Sequence, residues 1–289
     1  MARQLIIVSV LLLGTLTTSC GAQRQSPADG AEVSGLPVPY DLSAPDAVFT
    51  LPNTLLEISG LTVLDSLHLG AVQDELGILY VLDRETAEVV SEHRFAGRGD
   101  YEGLERVGDT VWVLRSDGVL FAVRNTPDQS DGDIQFDLRL HKSCDAEGLA
   151  SSTTGEHLLL VCKEHPGGNF RRVRSIYSIA ISTRPIIVEP IYLIDREELE
   201  DGRGSFKPSA LAVHPQSNLL YVLSSVNKML VVLDTGDSIR PVSSVELPDR
   251  LFPQPEGIAF FPDGTLFISN EGRNGQATLL RFDLNSNNP

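Results

Sequence analysis

The chain has few positive charges and few cysteines, and both shortages narrow its possible functions. Its 23 lysines and arginines stand against 39 aspartates and glutamates, which gives a formal net charge of −16 at pH 7. Such an excess of negative charge argues against binding to nucleic acid or to anionic lipid headgroups. The cysteines form no Cys-x-x-Cys pair and no zinc-type group with histidine. Cys144 and Cys162 can pair in an oxidising compartment, but their spacing leaves this open.

Apolar runs are short everywhere, and the longest stands near the start of the chain. Residues 5–13 are apolar apart from Ser9, follow Arg3, and are succeeded by the small polar residues Thr17 to Ser19 and then by Cys20. This run is too short to span a bilayer and has the layout of a secretory signal. A cysteine directly after the small residues resembles the lipidation site of a bacterial lipoprotein. The alternative is plain secretion with an incidental cysteine.

These features divide the chain into three segments. We interpret residues 1–19 as a lipoprotein-type signal peptide, residues 20–44 as a flexible tether rich in glycine, proline, serine and alanine, and residues 45–289 as the folded domain. Lipid on Cys20 would attach the protein to the bacterial cell envelope, and membrane contact is expected only through that lipid. The glycine that follows Cys20, in place of an aspartate, favours the outer membrane.

The folded domain lacks helical periodicity and instead repeats one short motif five times. Short runs of β-branched and aromatic residues alternate with Gly, Asp, Asn and Pro, which is typical of β-strands and turns. The copies of the motif are ISGLTVLD (58–65), YEGLERVGD (101–109), AEGLASST (146–153), PSALAVHP (208–215) and PEGIAFFP (255–262). Their spacings of 43, 45, 62 and 47 residues match the size of a four-stranded propeller blade, apart from one copy with insertions.

Five copies predict an all-β, five-bladed β-propeller over about residues 45–285. The chain ends before the fifth copy can form a fourth strand, so we expect the strand-like segment DAVFTLP (46–52) to complete the last blade. A β-sandwich is the alternative architecture, but sandwiches do not repeat a motif at this interval. A sixth, degenerate blade within residues 163–206 is the other alternative.

The ordered set of motifs resembles the SdiA-regulated family of bacterial envelope proteins. The residues that carry the resemblance are ISGL, DYEGLE, DAEGLA, KPSALAVHP and QPEGIAFFPDG, with Lys-Glu after the second strand of the third copy. The resemblance implies a five-bladed propeller similar to NHL-repeat propellers, and it implies calcium as a possible ligand. It implies no established enzymatic activity. Related propellers include metal-dependent lactonases and esterases, so catalysis is conceivable by analogy of fold alone.

Five equivalent motif positions are expected to surround one mouth of the central channel. The first strand of each blade lines the channel, which places these residues in a ring: Ser59, Glu102, Glu147, Ser209 and Glu256. Converging carboxylates repel one another unless they hold a cation or share a proton. Calcium suits such oxygen donors, whereas zinc and copper prefer histidine and cysteine. The alternative is a purely structural role, in which the glutamates accept backbone N–H bonds from a neighbouring blade.

A second group of polar residues follows the second strands of the blades. Glu164 and Glu271 are candidate site residues there, while Arg115 and Lys163 can reach inward as counter-charges to the glutamates. The leading hypothesis is therefore a lipid-anchored envelope propeller that binds calcium and presents a mouth to an unidentified small ligand or envelope protein. The alternative is a metal-dependent hydrolase of lactones, esters or phosphate esters, in which Glu164 or Glu271 is the general base. The sequence leaves the choice between enzyme and binding module open.

Overall fold

The computed structural model describes residues 38–124, 134–183, 186–195, 199, 205–236, 239–272 and 275–284. The predicted signal peptide, Cys20 and residues 20–37 of the predicted tether lie outside the described residues. Within them, the chain forms five separate four-stranded antiparallel sheets, each of which is one blade. The predicted all-β, five-bladed propeller is confirmed.

The strands follow one another along the chain, blade by blade. Blades one and two consist of β2 (Ile58–Val63), β3 (His68–Gln73), β4 (Leu76–Asp83), β5 (Val89–Arg98), β6 (Tyr101–Val107), β7 (Thr110–Arg115), β8 (Val119–Arg124) and β9 (Ile134–Asp137). Blades three and four consist of β10 (Ala146–Ser151), β11 (His157–Cys162), β12 (Val173–Ala180), β13 (Ile187–Asp195), β14 (Pro208–Val213), β15 (Leu220–Ser224), β16 (Met229–Asp234) and β17 (Arg240–Glu246). Blade five contains β18 (Pro255–Phe260), β19 (Leu266–Asn270), β20 (Thr278–Phe282) and, outermost, β1 (Ala47–Thr50).

The outer edge of blade five is a strand from the start of the domain. β1 runs antiparallel to β20, with Val48 opposite Leu280 and Thr50 opposite Thr278. A short 3₁₀ helix, Asn53–Leu55, then leads into β2. The last sheet therefore joins strands that are more than 200 residues apart in sequence, and it ties the two ends of the domain together.

The domain extends further toward the N-terminus than composition suggested. Tyr40 and Leu42 lie within the predicted tether, yet both are buried in the apolar core between blades four and five. The Tyr40 hydroxyl donates to the carbonyl oxygen of Gly264 at 2.6 Å and lies 2.9 Å from Nε2 of His214. Residues 40–42 are thus part of the folded propeller.

Burial follows strand position within each blade. The first strands of blades one, three, four and five are buried along almost their whole length, whereas the outer strand β5 is exposed at most positions. The apolar cores lie between neighbouring blades; one of them joins Leu61 and Tyr80 of blade one to Phe267 of blade five. Among the described residues, no helix is long and apolar enough to cross a membrane.

Candidate functional site

All five motif residues occupy the same special position, the extra residue of a β-bulge. In each blade the register between the first and second strands shifts at this point, so the motif residue has no partner opposite it. The bulged residues are Ser59, Glu102, Glu147, Ser209 and Glu256. A bulge bends its strand and redirects a side chain away from the regular alternation. This geometry explains how a residue in a buried strand can face the channel mouth.

The glycine after the bulge lets neighbouring blades approach closely at the axis. A Cβ atom on Gly103 would lie 2.8 Å from the carbonyl oxygen of Glu147, and one on Gly148 would lie 2.9 Å from the Cα of Ala210. Real Cβ contacts are longer than this, so any larger residue would push the blades apart. The Glu-Gly pair of the motif therefore combines a redirected side chain with a close backbone contact.

The residue after the glycine closes the channel below the mouth. An apolar side chain from every blade lines a space of only about 10 Å³ there: Leu61, Leu104, Leu149, Leu211 and Ile258. The channel is thus separated into two ends that differ in chemistry. The mouth that the motif residues surround therefore does not continue through the propeller as an open pore.

The pocket at this mouth is a cavity of about 160 Å³ lined mainly by acidic side chains. Its carboxyl groups are those of Glu57, Asp74, Glu102, Glu147, Glu256 and Glu271. Ser59, Gln254 and Lys163 complete the polar lining. The cavity lining therefore contains six carboxyl groups and one ammonium group.

That ammonium group, on Lys163, lies among the three motif glutamates. Lys163 Nζ donates to Oε1 of Glu147 at 2.7 Å, and the Glu147 side chain is only 2% exposed. The lysine also interacts electrostatically with Glu256 and Glu102. Burial disfavours the charged lysine, but the glutamates outweigh this and raise its pKa. The ring predicted to need a cation thus contains one from its own chain.

One ammonium group cannot neutralise three carboxylates, and their pKa values reflect this. Burial, followed by repulsion from Glu147, raises the pKa of Glu102 to about 10. Burial also raises the pKa of Glu147 to about 8 and that of Glu256 to about 6, although Lys163 acts in the opposite direction on both. The inner ring therefore retains protons at neutral pH that carboxyl groups in water would have lost.

The remaining carboxyl groups lie at the rim of the cavity, where they are half-buried. Burial and then the neighbouring carboxylate of Glu57 raise the pKa of Asp74 to about 7. Glu271 interacts with the same aspartate and accepts a hydrogen bond from the side-chain amide of Gln254. Sequence reasoning did not select Glu57, Asp74 or Gln254. Their positions in the sequence could have indicated them. Glu57 and Gln254 directly precede copies of the motif, and Asp74 directly follows the second strand of blade one.

The two motif serines connect blades. Ser59 donates to the carbonyl oxygen of Tyr101 at 2.5 Å, and Ser209 donates to the carbonyl oxygen of Pro255 at 2.8 Å. Each bond runs from one blade to the next around the ring. Ser59 also lines the cavity, whereas the lining of the cavity does not include Ser209.

Of the candidates after the second strands, Glu271 and Lys163 reach the cavity and two others do not. Glu164 binds the ammonium of Lys207 and lies 3.5 Å from Arg174, outside the cavity lining. Burial would raise the pKa of Glu164, but Lys207 and Arg174 hold it below its ordinary value. Arg115 makes a two-point ion pair with Asp117, at 2.9 Å for both bonds.

A disulfide bond lies directly beside the lysine. Cys144 and Cys162 are bonded, with their Cα atoms 5.0 Å apart. Lys163, the next residue, donates its backbone N–H to the carbonyl oxygen of Asp145 at 2.8 Å. The covalent bond and the backbone bond together fix the point from which the lysine side chain enters the glutamate ring.

In this arrangement Lys163 occupies part of the inner ring that a calcium ion would need. Calcium requires six to eight oxygen ligands, whereas the ring holds an ammonium group bonded to one of its carboxylates. In the described part of the chain, no group of three or more His, Cys, Asp or Glu side chains is placed to hold a metal ion. The donors are of the right type for calcium, but Lys163 stands among them.

The opposite end of the channel carries a smaller cavity, of about 90 Å³. A half-buried carboxylate in this cavity, that of Glu105, accepts hydrogen bonds from Thr62 Oγ1 at 3.0 Å and from Ser151 Oγ at 2.6 Å. These three residues belong to three successive blades. Glu105 is therefore fully engaged in holding blades together.

Comparison with known proteins agrees with this fold. The model of the family described as SdiA-regulated matches residues 50–274, and a search of curated proteins finds no match. Glutaminyl cyclase from Myxococcus xanthus is similar in structure, with 16% identity and a TM-score of 0.55 over 83% of this chain and 96% of that one. A chain of a nidogen–laminin complex gives 15% identity and a TM-score of 0.50 over 78% of this chain and 76% of that one. Virginiamycin B lyase from Staphylococcus aureus gives 16% identity and a TM-score of 0.45, over 84% and 75%. At such identities the likeness shows the fold alone.

Proposed function

The chain belongs to the SdiA-regulated family, and we propose that it is a lipid-anchored envelope protein whose propeller binds a cationic ligand in the carboxylate-lined cavity. One observation carries the proposal: six carboxyl groups and one lysine line a cavity of about 160 Å³. A cavity of similar volume holds a benzene-sized molecule in another protein. The space is therefore large enough for a hydrated metal ion or a small organic cation.

Electrostatics explains why a cation is the favoured ligand. Burial and mutual repulsion raise the pKa values of Glu102 and Asp74. A positive charge placed in the cavity would favour the ionised carboxylates and relieve this repulsion. An anionic ligand would instead be repelled by the ionised carboxylates. Calcium is the first inorganic ion to test, because the cavity offers oxygen donors and no histidine or cysteine.

Attachment through Cys20 is proposed from the sequence pattern, in which an apolar run and small residues precede the cysteine. The described part of the chain joins the propeller through Tyr40, which contacts Gly264 in the turn between β18 and β19, at the end of the propeller opposite the acidic cavity. Labelling with radioactive palmitate tests the anchor: the wild type should incorporate label, and Cys20→Ser should not.

The binding proposal is tested by calorimetric titration of the chelator-stripped protein. Calcium chloride is titrated first and then a short aliphatic diamine, at constant ionic strength. Glu256→Gln should weaken binding, because Glu256 lines the cavity. Glu92→Gln is the matched control, since it removes the same charge from the exposed outer strand β5. If neither probe binds the wild type, or if both variants weaken binding equally, the proposal is wrong.

A hydrolase is the second candidate, and the position of Glu271 is the observation that favours it. Glu271 lies in the cavity beside carboxyl groups whose pKa values are raised, so the cavity holds both a possible base and possible acids. Glu164, the other general-base candidate from the sequence, is paired with Lys207 outside the cavity lining. A screen for esterase, lactonase and phosphatase activity tests this candidate. Activity that disappears in Glu271→Gln would favour the enzyme.

A further inference from the structure

Lys163 already interacts with the three glutamates that a divalent cation in the ring would need. Lys163 Nζ is bonded to Oε1 of Glu147 and interacts with Glu256 and Glu102. Any metal ion bound to these carboxylates would lie beside a fixed positive charge and would lose one carboxylate oxygen to it. Two cations cannot share this ring at short range without strong repulsion.

The backbone of Lys163 is held firmly in place. Its backbone N–H is bonded to the carbonyl oxygen of Asp145, and its neighbour Cys162 is joined to Cys144. The side chain leaves the end of a buried strand and passes into the cavity, and 28% of it remains exposed. The exposed fraction gives it a path to solvent, so the ammonium can leave the ring although its backbone cannot.

We propose that Lys163 is the resident cation of the glutamate ring and determines which cations the cavity accepts. Divalent metal enters the ring only when the ammonium leaves it. Glu57, Asp74 and Glu271 line the same cavity and add three further carboxyl groups to the one that binds the lysine. This inference rests on the proposed function for its site, but it concerns selectivity and makes a separate prediction.

The decisive variant is Lys163→Met, which keeps most of the side-chain volume and removes the charge. Calorimetric titration with calcium chloride at pH 7.5 should give at least tenfold tighter binding than in the wild type. Lys207→Met is the matched control, because Lys207 also pairs with a glutamate, Glu164, but outside the cavity. Its calcium affinity should equal that of the wild type.

The possible results separate this inference from the proposed function. Tighter calcium binding by Lys163→Met supports the inference, whether or not the wild type binds any cation. A wild type that binds calcium as tightly as the variant overturns the inference and leaves the proposed function standing. If neither protein binds calcium, the inference is wrong. Lys163→Gln, which keeps a hydrogen-bond donor, gives the same test if the methionine variant does not fold.

Discussion

The ammonium of Lys163 lies 2.7 Å from Oε1 of Glu147 and interacts electrostatically with Glu102 and Glu256, the other two glutamates of the ring. Buried carboxylates are costly unless they are paired, and three of them in one ring would repel each other. The lysine offsets part of this cost, and retained protons offset more of it. The folded state can therefore hold an acidic cavity at its axis without a bound ligand.

Replacing Glu147 by alanine should destabilise the protein. The substitution removes the carboxyl group that binds the ammonium of Lys163 and leaves a void at a buried position, although Lys163 keeps Glu102 and Glu256 as neighbours. We expect a loss of about 1–3 kcal/mol in the free energy of unfolding, the range for a lost hydrogen bond to a charged group. Urea denaturation at pH 7 measures it. Glu75→Ala, which removes the exposed pair with Arg98, should cost less than about 1 kcal/mol; equal losses in the two variants would contradict the expectation.

Replacing Glu102 by glutamine should stabilise the protein above neutral pH. The pKa of Glu102 is raised to about 10 in the folded state, so folding retains a proton that the unfolded chain releases above about pH 4.3. A carboxyl group with a raised pKa stabilises the fold in its protonated form, and this contribution is lost as pH rises toward the folded pKa. Glutamine resembles the protonated form and avoids the loss.

The expected result is therefore a change in how steeply the free energy of unfolding depends on pH. The free energy of unfolding of the wild type should fall between pH 5 and pH 8, where burial also raises the pKa values of Glu256 and Glu147. Glu102→Gln should fall less steeply and should exceed the wild type by at least about 1 kcal/mol at pH 8, since one pKa unit corresponds to about 1.4 kcal/mol. Urea midpoints across this pH range provide the test. Parallel profiles would show that Glu102 ionises normally.

The repeat in the sequence was enough to predict the propeller, because each copy encodes one blade. The glutamate or serine is the bulged residue, the next residue permits close approach, and the third closes the channel, as Glu147, Gly148 and Leu149 do. A motif with such strict spacing carries its structural role in every copy. Fold and ring position could therefore be derived from residue order alone.

The content of the cavity was harder to predict, because it depends on side-chain direction. Lys163 is the first residue after its second strand and enters the ring, whereas Arg115 is the last residue of its own second strand and pairs with Asp117. Successive residues of a strand point to opposite faces, so this difference of one position, which the sequence does not show, decides which side chain enters the cavity. Asp74 and Glu271 hold the same position as Lys163 and also line the cavity. The sequence does not show the burial of Tyr40 either, because it depends on contacts with residues more than 170 positions away.

Introducing a methyl group at the blade contact should destabilise the propeller. A Cβ atom on Gly148 would lie 2.9 Å from the Cα of Ala210 and 2.7 Å from Leu211 Cδ2. Gly148→Ala should therefore cost about 1–3 kcal/mol, as overpacking of a close-packed region usually does. Gly97→Ala is the control, because a methyl group on Gly97 would meet no atom within 4 Å. Thermal denaturation should show a lower midpoint for the first variant only.

Removing the disulfide should lower stability and abolish any effect of reductant. Cys144 and Cys162 are 18 residues apart, so their bond restricts a loop of moderate length in the unfolded chain. Replacing both by serine should cost about 2–4 kcal/mol in the free energy of unfolding. Dithiothreitol reduces the disulfide once the chain has unfolded. It should therefore lower the free energy of unfolding of the wild type and leave that of the double variant unchanged. An equal response of both proteins to the reductant would show that the bond does not stabilise the fold.

Removing the hydroxyl group of Tyr40 should destabilise the contact between the N-terminal segment and the propeller. His214 Nδ1 accepts backbone N–H bonds from Gln216 and Ser217, so Nε2 carries the proton and donates to the Tyr40 oxygen at 2.9 Å. Tyr40→Phe leaves this donor and the Gly264 carbonyl oxygen without their partner, which should cost about 1–3 kcal/mol. Hydrogen exchange should then accelerate in residues 40–42. Ser43→Ala is the control, because it removes an exposed hydroxyl bonded to Asp41 and should change neither stability nor exchange rate measurably. If Tyr40→Phe also changed neither quantity, residues 40–42 would belong to the tether, as composition had suggested.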